Sequence, residues 1–325
     1  MKSKSLLICL LAIFAFTLAM PVWAVEPSSI LVNMAPENPA PLENTVISLK
    51  SFSANLDSIL ISWFINGKNV SSGIGKKSFS VTAPTIGSET SIFVSIFLPD
   101  GKIEKRIVIR PSVMVLLWQA NDSYVPPFYK GKALPVADSE IKVVAMPEIK
   151  TVGGLIDSKN MTYSWKKDYN NMSEDSGYGK NFFIYINDYL ENSNNIGVIA
   201  STTDQKYSSE ANINIGIALP KILFYKKDNG LGTIWEQTLK DRHKIQDDEV
   251  IVAAPYFITP KDIRNPTLIF NWLINNNPIN IQNFPKNLIP LRTQAGISGV
   301  SSLKLQIENK NKIFQTASKE INIEF

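Results

Sequence analysis

The sequence predicts an all-β chain of three tandem β-sandwich domains, and three observations carry that prediction. The first is a strand ending near tryptophan that occurs three times: Ser62-Trp63-Phe64-Ile65-Asn66-Gly67-Lys68, Ser164-Trp165-Lys166-Lys167-Asp168-Tyr169 and Asn271-Trp272-Leu273-Ile274-Asn275-Asn276. The second is parity. Ile59, Ile61, Trp63 and Ile65 alternate along the chain, as do Met161, Tyr163 and Trp165, and Leu268, Phe270, Trp272 and Ile274; on an extended backbone each set points to one face. The third is spacing: the tryptophans lie about 102 and about 107 positions apart, the length of one small sandwich. Trp63, Trp165 and Trp272 are therefore expected in three separate cores. The expected organisation is a signal segment over 1–24, then domains over 25–110, 111–218 and 219–325.

Bulk composition sets the class. The 325 residues are 44% hydrophobic and 19% charged, which supplies apolar material for several cores and excludes a disordered chain. The formal charge is +4, and without residues 1–24, which carry Lys2 and Lys4 and no acid, it falls to about +2. No basic stripe with interleaved aromatics is present, so nucleic acid is not an expected partner. Residues 1–24 have the three parts of an export signal: Lys2 and Lys4, the apolar run 6–20, then Val22-Trp23-Ala24 with small residues at the cleavage positions. A run of about 15 apolar residues is shorter than the roughly 20 that span a bilayer. Cleavage is expected, the location is secreted or cell envelope, and a membrane enters only through an uncleaved signal. Cys9 is the single cysteine and lies inside the run behind Ile8, not at its end behind a small residue, which disfavours lipid attachment. The mature chain is then expected to hold no disulfide, thiolate metal site or cysteine nucleophile.

Taken in order, residues 25–41 are rich in Pro, Glu and Asn and read as an extended lead-in without a period. Residues 45–52 form a strand, the Trp63 strand follows, and Gly73-Ile74-Gly75-Lys76-Lys77-Ser78-Phe79 turns into a third. Ile92, Val94, Ile96 and Leu98 point inward along a fourth; Pro99-Asp100-Gly101-Lys102 is a hairpin turn, and Ile103, Lys105, Ile107 and Ile109 return. The second domain has a strand over 113–118, a proline-stiffened aromatic loop from Tyr124 to Lys132 and a strand over 140–147. A Gly177-Tyr178-Gly179 turn and a closing hairpin around Thr203-Asp204-Gln205-Lys206 complete it. The third repeats these parts at 222–225, 249–255, 303–307 and 321–325. Residues 231–246 read as a loop with a short helical piece at best, because the counterpart in the second domain is full of proline. Short links around Arg110-Pro111 and Leu219-Pro220 restrict freedom between neighbours.

A Trp strand followed by Asn-Gly-Lys or Lys-Asp, a Gly-x-Gly turn and a closing hairpin resembles the immunoglobulin-like and PKD-like sandwich modules of bacterial surface proteins. Over nearly all its mature length the chain also resembles a family of secreted proteins from reduced-genome, candidate-phylum bacteria. The motifs are Pro36-Glu37-Asn38-Pro39, the Trp63 strand, Pro127-Phe128-Tyr129-Lys130-Gly131-Lys132-Ala133-Leu134-Pro135 and Ala253-Ala254-Pro255-Tyr256-Phe257. The resemblance implies export and Ig-like repeats, and it carries no known activity or catalytic residue. PKD modules usually follow the Trp with Asp-Phe-Gly-Asp-Gly, which none of these units does.

Candidate chemistry is sparse. His243, the only histidine, has Asp241 and Asp247 nearby and reads as a solvated loop residue. No Gly-x-Ser-x-Gly elbow accompanies it, and one histidine without a thiol argues against zinc. Glu174-Asp175, Asp247-Asp248-Glu249 and Asp100 fall at turns without the Asp-x-Asp-x-Asp-Gly loop of a calcium site, so turn formation and solubility are the expected roles. No catalytic residue, metal or cofactor is expected, and the chain does not read as an enzyme. Exposed aromatics are the better clue. Tyr124, Phe128 and Tyr129 sit in the stiff loop, and Trp235 is placed in the corresponding stretch of the third domain. Rigid aromatic area suits binding a partner or a sugar, but the position of these loops just after each link favours joints that set the angle between domains. The expected function is a secreted or surface-associated, non-enzymatic scaffold or adhesion module whose partner is an unknown protein or polymer at the cell surface. The alternative is a carbohydrate- or surface-polymer-binding module using these aromatics. Exposure on one face favours the alternative, and burial at a junction favours the scaffold.

Overall fold

The computed structural model describes residues 30–325 except positions 100, 152, 247 and 295; the expected export signal, Cys9, Asp100 and Asp247 lie outside the described residues. Among those residues the strands are interrupted by two single-turn 3-10 helices, Leu56–Ser58 and Ser158–Asn160, so the chain is all-β. They divide into two compact units: residues up to Val113 with Ile149–Leu155, and Met114–Glu148 with Ile156–Phe325.

The first unit holds one sandwich. A sheet in the order Ile30–Ala35, Asn44–Ser51, Ser78–Thr82 faces a sheet in the order Lys68–Ile74, Leu60–Ile65, Thr90–Leu98, Gly101–Ile109. Ile47, Ile61, Trp63, Ile92, Val94 and Ile96 meet between them, fully buried. The lead-in, expected to be extended without a period, is part of the sheet: Ile30–Ala35 pairs antiparallel with Asn44–Ser51, from Ile30 opposite Ser51 to Ala35 opposite Val46. Ile30, Val32 and Met34 face the core, and that alternation is a strand signal that the surrounding prolines obscure. A second difference concerns Lys150–Thr151 and Gly154–Leu155. This small hairpin, expected within the second domain, belongs to the first unit. There the Lys150 stem lies against Gly87, where an added Cβ would stand 3.0 Å from Lys150 Cδ.

The second unit contains two pairs of sheets. In one, the order Phe182–Ile186, Glu140–Glu148, Val113–Ala120 faces Asn170–Asn171, Met161–Lys167, Ser193–Thr202, Ser208–Gly216. In the other, Gly232–Thr238, Lys221–Asp228, Asp248–Tyr256, Leu288–Arg292 faces His243–Lys244, Thr316–Glu324, Val300–Asn309, Leu268–Ile274, Asn277–Ile279. Residues 231–246 are therefore not a loop with a helical piece. Asp228 Oδ1 accepts from the N–H of Gly230 (2.7 Å) and Leu231 (2.8 Å), Gly232 has φ +81°, and Gly232–Thr238 returns antiparallel along Lys221–Asp228 with a bulge. Asp-Asn-Gly is a hairpin signal, and here it outweighs the likeness to the proline-rich stretch of the second domain.

One device recurs three times in the cores. The indole N–H of Trp63 donates to Lys76 O (2.7 Å), that of Trp165 to Lys180 O (2.9 Å) and that of Trp272 to Lys286 O (2.9 Å). A buried indole needs such an acceptor. Each ring also stacks on a phenylalanine: Trp63 on Phe79, Trp165 on Phe183 and Trp272 on Phe224, with centroids 5.4, 5.7 and 5.6 Å apart. The first two phenylalanines lie three residues beyond the accepting lysine, whereas that position in the third sandwich is Ile289 and the ring comes from a different strand.

The turns after each tryptophan are equally regular. Asn66 and Gly67, Asp168 and Tyr169, and Asn275 and Asn276 all have positive φ, the twist that suits a two-residue hairpin. The first side chain of each pair accepts an amide from the adjacent strand: Asn66 from Ser91 N (3.4 Å), Asp168 from Asn195 N (2.8 Å) and Asn275 from Ser302 N (2.9 Å).

Candidate functional site

Within the second unit, the aromatic loop after Ala120 meets the far end of the Asp248–Tyr256 strand. Tyr124 and Ile258 form an antiparallel bridge: Tyr124 N donates to Ile258 O (2.7 Å), and Phe257 N donates to Tyr124 O (2.8 Å). The Tyr124 ring packs on the core that contains Ile258, and burial pushes its hydroxyl pKa up. Tyr129 stands edge-on to Tyr256 (5.6 Å) and Phe257 (5.9 Å), a geometry that aromatic quadrupoles favour. Gly131 is required at this point, because a Cβ there would overlap the Tyr129 ring. Burial and the hydroxyl of Tyr225, 2.7 Å away, raise the Tyr256 pKa, so this phenol stays protonated across the neutral range.

A polar clamp closes the same joint. Lys312 Nζ donates to Asp122 Oδ2 (2.9 Å) and to Asp138 O (2.7 Å). Gln315 is fully buried; its amide N–H donates to Ala137 O (2.6 Å), while its Oε1 accepts from Thr259 N (3.0 Å) and Thr259 Oγ1 (2.9 Å). Asn309 completes the set by donating to Thr259 O (2.7 Å). The receiving turn is itself fixed, since Val136 N donates to Ser139 Oγ and Ser139 N to Asn187 Oδ1 (2.8 Å). Beside it Tyr189 and Phe314 stack with centroids 4.3 Å apart and planes 8° from parallel. Sequence reasoning missed these groups, because a buried Gln or a Lys in a turn looks like any other polar residue until its partner is known.

The singled-out aromatics do not assemble into one binding face. Tyr124 and Tyr129 are spent at the joint. Trp235, expected in a loop, lies on the Gly232–Thr238 strand and tilts over Tyr225 with centroids 5.1 Å apart. It covers a buried cluster of Tyr225, Val252, Ala254 and Leu288. Phe128 projects outward, 83% exposed, and Tyr129 keeps 37% exposure at the edge of the joint. A platform of coplanar rings for a sugar is not formed.

His243 also departs from its expected role. It lies in a short strand parallel to Thr316–Glu324, and its Nε2 is 2.8 Å from Oε1 of the buried Glu249. Asp241, its sequence neighbour, does not orient it; Asp241 Oδ1 accepts from the backbone N (2.8 Å) and side-chain Nδ2 (3.1 Å) of Asn322. Asp248 is held by Arg292 through two parallel bonds of 2.7 and 2.9 Å, which lower its pKa. Among the described residues no group of three or more His, Cys, Asp or Glu is placed to hold a metal ion. No helix among them is long and apolar enough to cross a membrane.

No family model and no curated protein sequence matches the chain. The likeness to secreted proteins of candidate-phylum bacteria therefore rests on the motifs alone. Among solved structures the chain is similar to the Clostridium thermocellum CbhA fibronectin(III)-like modules, at 15% identity over 57% of this chain and 94% of that one, with a TM-score of 0.27. It is also similar to three N-terminal domains of the bacteriophage RB49 highly immunogenic outer capsid protein, at 10% identity over 91% and 97% with a TM-score of 0.25. The central fibronectin-III array of RIM-binding protein gives 9% identity over 91% and 95% with a TM-score of 0.32. Overlaps at this level carry no argument about function. The sheets themselves make the chain a tandem array of Ig-like β-sandwiches.

Proposed function

We propose that the chain is an exported, non-enzymatic scaffold or adhesion module that acts at the cell surface by presenting stacked sandwiches at a fixed angle. The observation that carries this reading is the joint in the second unit. Two of the four candidate ligand-site aromatics, Tyr124 and Tyr129, help fix one sandwich on the next. A joint built from a backbone bridge, a buried glutamine and a lysine clamp serves a protein whose function depends on where its surfaces point. His243, the residue best suited to proton transfer, is engaged by Glu249 in a pairing that ties a connecting segment to the last sheet.

Export and the joint are tested together. The gene is expressed with a C-terminal tag in a bacterial host, and the N-terminus of the exported product is read by mass spectrometry; the expected first residue is Val25. Retention of the full-length chain inside the cell overturns the exported reading. In the purified product, residual dipolar couplings measured on the second and third sandwiches are expected to fit one alignment tensor, and two independent tensors would remove the fixed-angle argument.

A further inference from the structure

The outward faces of the three smaller sheets differ in a way that the repeats themselves control. In the first sandwich this face is mostly polar, with Asn33, Ser48, Lys50, Ser78, Ser80 and Thr82. In the third it is apolar and covered: Tyr225, Val252 and Ala254 are buried, and the additional strand Gly232–Thr238 pairs with the sheet edge and lays Trp235 over Tyr225. In the second sandwich the matching face is largely apolar and exposed, with Lys142 Nζ 4.7 Å over the Phe182 ring. Val115, Leu117, Met146, Phe182, Ile184 and Ile186 are all exposed, Leu117 at 54% and Ile186 at 66%. This sheet has three strands where the third sandwich has four, and the strand it lacks is the one that would pair with Val113–Ala120. Ala120 N donates outward to Ala133 O, while Asn121 N donates inward to Glu140 O. Backbone alternation then aims the N–H and C=O of Met114, Leu116 and Trp118 to the open side.

We propose that the open edge of Val113–Ala120 accepts an added antiparallel strand from another protein, and that an aromatic or aliphatic side chain of that strand covers Val115 and Leu117. The chain itself shows what fits, because its third sandwich closes an equivalent edge with an extended segment carrying one tryptophan. Strand addition supplies backbone hydrogen bonds for affinity and a side-chain contact for selectivity, and an apolar edge left open beyond Trp118, over whose ring Lys132 Nζ lies at 3.9 Å, is otherwise a liability. A second copy is a poorer occupant, since three short strands offer less than the roughly 800 Å² per partner that a stable dimer buries. The proposal rests on the interaction-module reading only for its biological use. Failure to bind a strand would leave the export and joint measurements unchanged.

The probe is a synthetic peptide of residues 229–240, the strand that closes the third sandwich, titrated by fluorescence anisotropy into the mature chain. Binding is expected, with slowed hydrogen exchange at Met114, Leu116 and Trp118. Leu117→Lys, an exposed substitution that leaves the core intact, is expected to weaken it by about tenfold or more, as does alanine at the peptide's tryptophan. N-methylation of the peptide's edge-facing amides is expected to abolish it. No binding, binding indifferent to Leu117→Lys, or protection at Lys221–Asp228 instead of Val113–Ala120 would overturn the proposal. So would two other results: binding of a polysaccharide, but not of the peptide, that Leu117→Lys removes, or sedimentation showing dimers that the same substitution dissolves.

Discussion

The interiors of the three sandwiches are nearly copies of one another, whereas their joints and outward faces are not. Inside, an indole must fill the space between two sheets, find an acceptor for its N–H and stack on a ring, and few arrangements satisfy all three demands at once. The same backbone carbonyl position answers Trp63, Trp165 and Trp272. Even where the third sandwich has Ile289 instead of phenylalanine, another strand supplies Phe224 to restore the stack. Outside, one face is polar, one is covered by the chain's own strand and one is exposed. Packing permits one solution; the surface is free to differ, and it is there that the units acquire separate roles.

The largest expected effect tests whether the interiors are equivalent. Trp63→Ala, Trp165→Ala and Trp272→Ala are each expected to cost about 3–5 kcal/mol, read from urea unfolding of the variant. A wild-type midpoint for any one would break the comparison. Trp165→Phe keeps a ring but orphans Lys180 O, and should cost about 1–3 kcal/mol. At the joint, Gln315→Ala removes the partner of the Thr259 N–H and hydroxyl and of the Ala137 carbonyl and should cost about 2 kcal/mol, with one calorimetric transition splitting into two. A single unsplit transition would mean that the two sandwiches are not coupled through this residue.

A smaller effect concerns acid. The Lys167 ammonium contacts Asp168 Oδ2 (3.1 Å) and both oxygens of Glu191 (3.1 Å). Burial opposes ionisation, but the Asn195 amide at Asp168, the Asn194 side chain at Glu191 and Lys167 at both outweigh it, and both pKa values fall below their ordinary 3.8 and 4.5. A carboxylate with a lowered folded pKa contributes stability above its ordinary value and loses it as the pH drops through the folded one. The midpoint of the second sandwich should therefore be flat above about pH 5 and decline below about pH 4, and Asp168→Asn should flatten that decline. An unaltered acid profile would assign the sensitivity elsewhere. The smallest effect is at Phe128, whose exposed ring touches little: Phe128→Ser should change stability by less than about 0.5 kcal/mol and leave peptide binding unaltered.

Much of this architecture was legible because it is periodic. Parity at Ile61, Trp63, Met161 and Leu268 marks strands from sequence alone, since period two has one cause. The joint was legible only in outline: Tyr124 and Tyr129 announce themselves by standing beside prolines. Gln315, Lys312 and Thr259 do not, because Lys312 and Gln315 reach partners 174 to 190 positions away and Thr259 reaches partners 50 and 56 positions away, and distance in sequence hides a hydrogen bond. Trp235 was misplaced for a different reason. Its hairpin signal, Asp228-Asn229-Gly230, is local and strong, and the likeness to the second sandwich misleads because the units diverge just there. His243 was misread because Glu249, its partner, sits on the buried side of a strand that reads as apolar.

The clamp at Lys312 and Gln315 has a mechanical consequence. The second and third sandwiches are joined by the chain at 218–220 and again, about 90 residues further on, by contacts from the 309–315 turn to Asp122, Ala137 and Asp138. A body attached at one point swivels, and a body attached at two separated points cannot turn without breaking one of them. Torque applied to either sandwich therefore passes to the other instead of dissipating in the link. A tether pulling on the C-terminal strand would rotate the exposed face of the second sandwich along with it.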